Sequence, residues 1–419
     1  MKAALLRHQD FMKLWIGQTV SEFGSEVTSV ALPLTAALFL HATPTQMGFI
    51  GALTTLPFLV MSLLAGVYID RLRRRPLLIL ADSVRLMLLG LVPVLWVTHQ
   101  LHMNDLYGVA FLVGCMTVLF DLAYQSYLPS LISRDVLMDG NAKLETTRAA
   151  SQVAGPGLGG VLVRTMAAPL ALGFDSLSYG VSVASLLGIR VREPKPQRVV
   201  TRHIGGEIRE GLAFVFGNRL IWSIAGCTGT SNFFGALSGS VYVLYFIHGL
   251  HFRGAWIGAV YGLGAVGGLV GAVVANRITQ SLGLGRTLFL SIAVVAGAGF
   301  LVPLAPQEFF VGMGFLILSQ ALTGGGSVIY NINQVSLRQS LTPDRLLGRM
   351  NASVRFLIWG TMPLGSLAGG LLGSLLGLHA TLWIGAVGGT VALIWIGTSP
   401  VLHLQSAPPA MSSEPSSVS

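Results

Sequence analysis

Apolar residues fall in blocks of about twenty along this chain, separated by short polar segments. The blocks occupy 11–40, 46–69, 77–98, 106–128, 145–165, 169–189, 219–248, 256–276, 287–304, 309–333, 354–376 and 378–398. A block of about 20 residues, wound as a helix, covers the roughly 30 Å of hydrocarbon in a bilayer. Strands cross a membrane only as a closed barrel, in segments of about 10 residues that alternate in polarity, and these blocks are longer and continuous. The pattern therefore predicts an all-α membrane protein with twelve transmembrane helices in two six-helix pseudo-repeats. One long polar segment divides them. It contains Pro194 and Pro196, and it predicts a surface helix from Glu207 to Phe216. The organisation expected is an N-terminal six-helix half at 1–189, a cytoplasmic central loop at 190–218, a C-terminal six-helix half at 219–400 and a tail at 401–419. The Pro and Ser content of that tail gives it the composition of a disordered segment.

Composition removes the soluble alternatives. The chain is 53% hydrophobic and 10% charged, against about 25% charged residues in an average soluble domain. No room is left for an enzyme-like soluble domain. The formal charge of +9 does not indicate nucleic acid, because the basic residues are scattered through short connections with no aromatic-basic face. They follow the positive-inside rule: one set of loops holds Lys13, Arg73, Arg134, Lys143, Arg190, Arg277, Arg286 and Arg345, and the other holds only Arg164 and Arg253. Both termini are thus placed in the cytoplasm of a multi-pass protein of the plasma (bacterial inner) membrane. The first apolar run carries Glu22 and Glu26 with no cleavage-site pattern, so it reads as a retained helix. Cys115 and Cys227 lie in separate apolar runs without metal-ligand spacing and read as packing residues. No metal and no cofactor are expected.

An internal repeat supports the division into halves. Gln125 and Leu128 recur 209 positions later as Gln334 and Leu337; Asn141-Ala142, Gly155 and Gly159-Gly160 recur 210 later as Asn351-Ala352, Gly365 and Gly369-Gly370. Two parallel six-helix repeats enclosing a site at the bilayer midplane are the arrangement such a repeat builds.

Charges inside hydrocarbon cost about 2.5–3.5 kcal/mol each on insertion scales, so each needs a partner or a wet cavity. Glu22 and Glu26 stand one turn apart on a polar stripe with Gln18, Ser25 and Ser29. Two carboxylates so close in a low dielectric cannot both ionise cheaply, so one of them is expected to hold a proton near neutral pH. That is the requirement of a proton-coupling site, and Asp121 and Asp175 are further candidates for it. Permanent neutralisation of arginines is the competing role for these acids. Asp82 with Arg85, and Glu145 with Arg148, are spaced as buried charge pairs, the second near the inner surface. The second half has no central carboxylate. It offers Asn232, Tyr242 and Tyr245 on its first helix, and Ser319, Thr323, Ser327 and Asn331 at four-residue spacing on its fourth, as candidates to line a substrate cavity. Hydroxyls at that spacing serve equally as packing glue.

The loop after the second run reads Gly66-Val-Tyr-Ile-Asp70-Arg71-Leu-Arg73-Arg74-Arg75. Asp70 at a helix end can hold Arg71 or the positive end of a facing helix, forming a cytoplasmic latch with Gly66, Arg74 and Arg75. This segment resembles the loop signature of the major facilitator superfamily, with Arg73 where that signature has Gly. Gly155-Pro156-Gly157-Leu158-Gly159-Gly160 resembles the antiporter signature of the superfamily's exporters, with Ser151 at a position usually Gly. Small residues permit close helix approach and Pro frees a carbonyl. Leu128-Pro129-Ser130-Leu131, Phe174 to Tyr179 and Arg209-Glu210-Gly211-Leu212 are similar to segments of the drug-proton antiporter branch, among whose members are macrolide efflux proteins and the enterobactin exporter. The resemblance implies twelve helices, outward transport and coupling to protons. The expectation is a monomeric secondary transporter, not an enzyme, that exports a small amphipathic drug or metabolite by alternating access in exchange for protons. A uniporter, importer or lysophospholipid flippase on the same scaffold, and a non-transporting receptor or assembly subunit, are the alternatives.

Overall fold

The computed structural model describes residues 8–69, 72–132, 136–191, 193, 204–343 and 346–406. Among the described residues there are helices and no strands. Six long helices come first: α1 (Gln9–Phe39), α2 (Pro44–Ile69), α3 (Arg74–Val97), α4 (Met103–Leu131), α5 (Leu137–Met166) and α6 (Ala168–Leu187). The short helix α7 (Ile204–Gly217) follows, close to the expected surface helix. Then come α8 (Arg219–Leu244), extended by a π-turn at Tyr245–Gly249, α9 (Ile257–Leu282), α10 (Leu284–Leu304) and α11 (Phe309–Ser340). The last two apolar runs are broken helices, α12 (Leu347–Trp359) with α13 (Thr361–Leu375), and α14 (Leu378–Gly389) with α15 (Ala392–Gly397).

By length and composition, nine of these passages are apolar enough to cross a membrane. Three others, α1, α5 and α8, have 31, 30 and 26 residues and the length to cross. They are more polar, and counting them as crossings restores the expected twelve. Large apolar side chains such as Met87, Leu177, Val273 and Phe310 point outward and are exposed, which fits a bundle whose solvent is lipid. Tight turns set the helices antiparallel. Gly283 between α9 and α10 (φ 81°) and Gly377 before α14 (φ 86°) supply the left-handed residue that side chains disfavour.

Within the first six helices, α1 packs on α5 and α6, α3 on α4 and α6, and α2 on α4. Among the later ones, α9 and α10 pack on α11, and α8 on α13 and α14. The two sets meet through α2 against α13 and through α5 against α9. Both seams are built of glycine. A Cβ on Gly48 would lie 2.6 Å from the Ser366 carbonyl oxygen and 2.8 Å from Gly370 Cα; one on Gly258 would lie 2.5 Å from the Pro156 carbonyl oxygen and 2.6 Å from Gly160 Cα. The backbones are in direct contact there. Thr45 and Ser374 add a hydroxyl–hydroxyl bond of 2.7 Å at the loop end of the first seam.

The sequence repeat reappears as equivalent packing. Gly155 and Gly159 of α5 seat against Glu26 and Val27 of α1, and their repeat partners Gly365 and Gly369 of α13 seat against Phe233 and Leu237 of α8. Gly160 faces Gly258 of the other set, as Gly370 faces Gly48. The central helix α7 docks on the second set: Glu210 pairs with Arg349 of α12, and buried Val215 joins Ile221, Met350 and Val354 in one apolar cluster.

Candidate transport site

The midsection of α1 carries the acidic stripe. Glu22 and Glu26 are half-buried, and Gly155 presses on Glu26, where a Cβ would come within 2.4 Å of the glutamate's own Cβ. Glu22 lies in the field of Arg148, Asp121, Glu145 and Arg85, and Glu26 in that of Glu22 and Arg148. Asp121 of α4 is exposed and feels Arg85 and Arg148 of the first set and Arg355 of the second. Arg148 is thus shared by Glu22, Glu26 and Asp121, besides its neighbour Glu145. Arg355 of α12 and Asn331 of α11 are exposed polar groups of the second set. The expected burial of the Glu145–Arg148 pair is corrected. Its closest N–O distance is 3.9 Å and the side chains are 74% and 56% exposed, because this end of α5 borders open space, where water lowers the gain from pairing.

A second polar group is fully enclosed between α1, α3 and α6. Arg85 pairs with Asp82, and its guanidinium lies 4.3 Å from the Tyr179 ring centre and 4.6 Å from that of Phe120. Asp82 accepts from Ser182 at 2.5 Å, and Arg85 Nη1 donates to the Tyr179 hydroxyl at 3.5 Å. That hydroxyl bonds Ser25 of α1 at 2.9 Å. Asp175 accepts from Thr28 at 2.6 Å and from Ser178 at 2.9 Å. The sequence pattern marks Asp82, Arg85 and Asp175, but Ser182 and Thr28 as their partners follow only from the crossing of three helices.

Of the latch residues, Asp70 and Arg71 lie outside the described residues, and Gly66 belongs to α2. Arg74 and Arg75 open α3, where Glu193 acts as a carboxylate cap. It accepts from both backbone N–H groups, at 2.8 and 3.2 Å, and from Arg74 Nη1 at 3.3 Å. Arg75 also donates to the Leu186 and Leu187 carbonyls closing α6, each at 2.9 Å. Sequence reasoning missed Glu193, although an acid within a basic loop was a signal for it. Asp10, ahead of the first apolar run, similarly holds the Arg190 and Val191 N–H groups at 3.0 Å and Lys13 at 2.8 Å. Burial pushes its carboxyl up, but the bonds from Lys13, Val191 and Arg190 outweigh that and hold it below the ordinary carboxylate range.

In the second set the candidates separate. Tyr242, Ser319 and Thr323 line a cavity of about 200 Å³ enclosed by α8, α9, α10, α11 and α14. Ser319 donates to the Ala298 carbonyl at 2.7 Å. Asn232 donates to the Ile358 carbonyl at 3.1 Å and ties α8 to α12. Tyr245 stacks on His379 with centroids 5.9 Å apart, away from that cavity. Asn331 accepts from Gln334 at 3.3 Å, and Ser327 is half-buried one turn from Thr323. The cavity also takes in Tyr261 and Gln320, which no sequence pattern singled out.

Two helix sets joined by glycine seams, with half-buried carboxylates midway along α1, have the build of a membrane transporter of the major facilitator fold. Residues 2–416 match the family model described as transmembrane secretion effector, and the chain belongs to that family of the major facilitator superfamily. It is 25% identical over 358 residues to the enterobactin exporter EntS of Citrobacter koseri, covering 83% of this chain and 81% of that protein. In structure it is similar to a bacterial homologue of the iron transporter ferroportin in its inward-facing state, with TM-score 0.74, 17% identity and coverage of 94% and 98%. Against the outward-facing state the TM-score is 0.59, with 17% identity and coverage of 93% and 98%. The nucleoside transporter NupG gives 0.73, with 13% identity and coverage of 93% and 98%. These likenesses show the fold. Among the described residues, no three His, Cys, Asp or Glu side chains are grouped to hold a metal ion.

Proposed function

We propose that this transporter exports a small amphipathic molecule by proton antiport, with Glu22 and Glu26 as the proton-exchanging pair. The observation that carries the reading is an asymmetry across the repeat. Gly155 faces Glu26, a half-buried acid in the field of Arg148, whereas its partner Gly365 faces Phe233. The acid and its neighbours stand in one set only, so one set exchanges the proton while both sets close on the substrate. Protonation lowers the repulsion between the two glutamates and the attraction to Arg148, and so changes which arrangement of the sets costs less. The glycine seams hold the sets in backbone contact where α2 and α9 begin, and we read the exposed Glu145, Arg148, Asn331 and Arg355 as bordering the end at which the sets part. With both termini cytoplasmic, as the loop charges indicate, this is an inward-open arrangement of a monomer, in keeping with the higher TM-score to the inward-facing neighbour. Asp70 and Arg71, with Gly66, set the rate of exchange between arrangements as a latch.

Inside-out vesicles test the reading. With an acidic lumen, they take up a macrolide, a dye or enterobactin, the last chosen from the name of the relatives, and nigericin abolishes that uptake. Uptake that persists after nigericin contradicts proton antiport.

A further inference from the structure

We infer that the cavity inside the second helix set is a binding pocket for an uncharged, planar apolar group that bears a hydrogen-bond acceptor. The inference rests on the transporter reading above and deepens it by naming the chemistry of the cargo.

Three observations carry it. The cavity, of about 200 Å³, has Ser231, Ser238, Tyr242, Tyr261, Gln320 and Thr323 among its lining and no Asp, Glu, Lys, Arg or His. An ionised group entering it would lose its hydration with no counter-charge in return. The lining suits a ring. Tyr242 and Tyr261 stand 5.8 Å apart, tilted at 44°, and Phe234 and Leu382 add apolar wall, surfaces that favour an aromatic edge or face. The space holds a fused bicyclic group and not a whole drug-sized molecule, for which pockets run to about 300–1,000 Å³.

The third observation is the Tyr242 hydroxyl. Tyr242 is 7% exposed, lines the cavity, and its buried hydroxyl has no hydrogen-bond partner. A buried phenol usually finds one, and leaving it unmet costs about 1–3 kcal/mol. An acceptor on the cargo, such as a carbonyl or ether oxygen, satisfies it. The entrance is shaped for cargo as well: a Cβ added to Gly235 or Gly239, both lining the cavity and both exposed, meets nothing within 4 Å. These glycines leave open space that no packing requires. The cargo's uncharged ring system enters the second set, and its polar remainder faces the carboxylates of the first.

Equilibrium binding of two probes to the full-length protein in lipid nanodiscs tests this. Coumarin is planar, neutral and carries a lactone carbonyl; naphthalene has a similar ring system and no acceptor. No gradient is present, so the result does not depend on whether Glu22 and Glu26 couple protons. Saturable binding of both probes is expected, coumarin the tighter. Tyr242→Phe, which deletes a hydroxyl that no protein group uses, weakens coumarin about tenfold, the worth of one neutral hydrogen bond, and leaves naphthalene unchanged. Gly239→Leu fills the entrance and abolishes binding of both, and Gly235→Leu does the same where the first variant fails to fold. Absence of saturable binding in the unaltered protein, equal effects of Tyr242→Phe on the two probes, or binding retained in the folded leucine variants overturns the proposal. Vesicle uptake insensitive to nigericin, with pocket binding intact, overturns proton antiport and leaves the pocket standing.

Discussion

Single residues in this protein are governed by the cost of polarity in hydrocarbon. Arg85 is buried, and its charge is met by Asp82, by the Tyr179 hydroxyl and by two aromatic faces. Removing one member of such a group leaves the other charge unmatched, at about 3–5 kcal/mol. Arg85→Met alone is therefore expected to lower the unfolding temperature of the protein in nanodiscs sharply, and adding Asp82→Leu to recover most of the loss. A single variant that melts like the unaltered protein contradicts the account. At this scale the sequence was informative about which residues are unusual and silent about their company. Periodicity placed Asp82 beside Arg85 because both lie on α3. It could not place Ser182 or Thr28, which reach Asp82 and Asp175 from other helices. Nor could it separate a buried pair from an exposed one, since Glu145 and Arg148 have the same spacing and border open space.

At the scale of helices, small residues decide where the two sets touch. Gly258 of α9 admits the backbone of α5 at Pro156 and Gly160, and any side chain there forces the helices apart. Gly258→Leu is expected to hold that end of the molecule open. Spin labels at His102 and Glu308, at the loop end of each set, then report a longer distance than in the otherwise unaltered protein; an unchanged distance contradicts the seam. The Gly-Pro segment at 155–160 and the repeat at 365–370 were both legible in the sequence, and the structure gives them equivalent neighbours. The facing glycines of α2 and α9 were not legible as contacts, because in a chain this rich in glycine nothing local distinguishes a seam from ordinary packing. The polarity of α1, α5 and α8 likewise has a cause beyond the helix. α1 carries the acidic stripe, α5 meets α9 and α8 meets α2 of the other set, and all three fall outside the nine passages that are apolar enough by composition.

For the whole molecule, the two-set architecture followed from apolar run length and the 209-residue repeat, both of which record how a bilayer constrains a chain. The charge asymmetry of the loops gives an orientation that accessibility labelling checks. Cysteines introduced near Arg73, Lys195 and Ser412 are expected to react only from the cytoplasmic side, and those near His102 and Arg253 only from outside. Labelling of position 195 from outside overturns the orientation and with it the inward-open reading. The central claim is that protons enter the cycle through the acidic pair on α1. It is tested most directly in proteoliposomes holding Glu22→Gln, Glu26→Gln or both, with substrate flux measured under an imposed pH gradient and again without one. The amide keeps its hydrogen-bonding capacity and cannot bind and release a proton, so uphill flux is lost while downhill exchange survives, most completely at Glu26, the deeper of the two. Uphill flux at the unaltered rate in both single variants and in the double variant would contradict the claim and move the coupling role to Asp121 or Asp175.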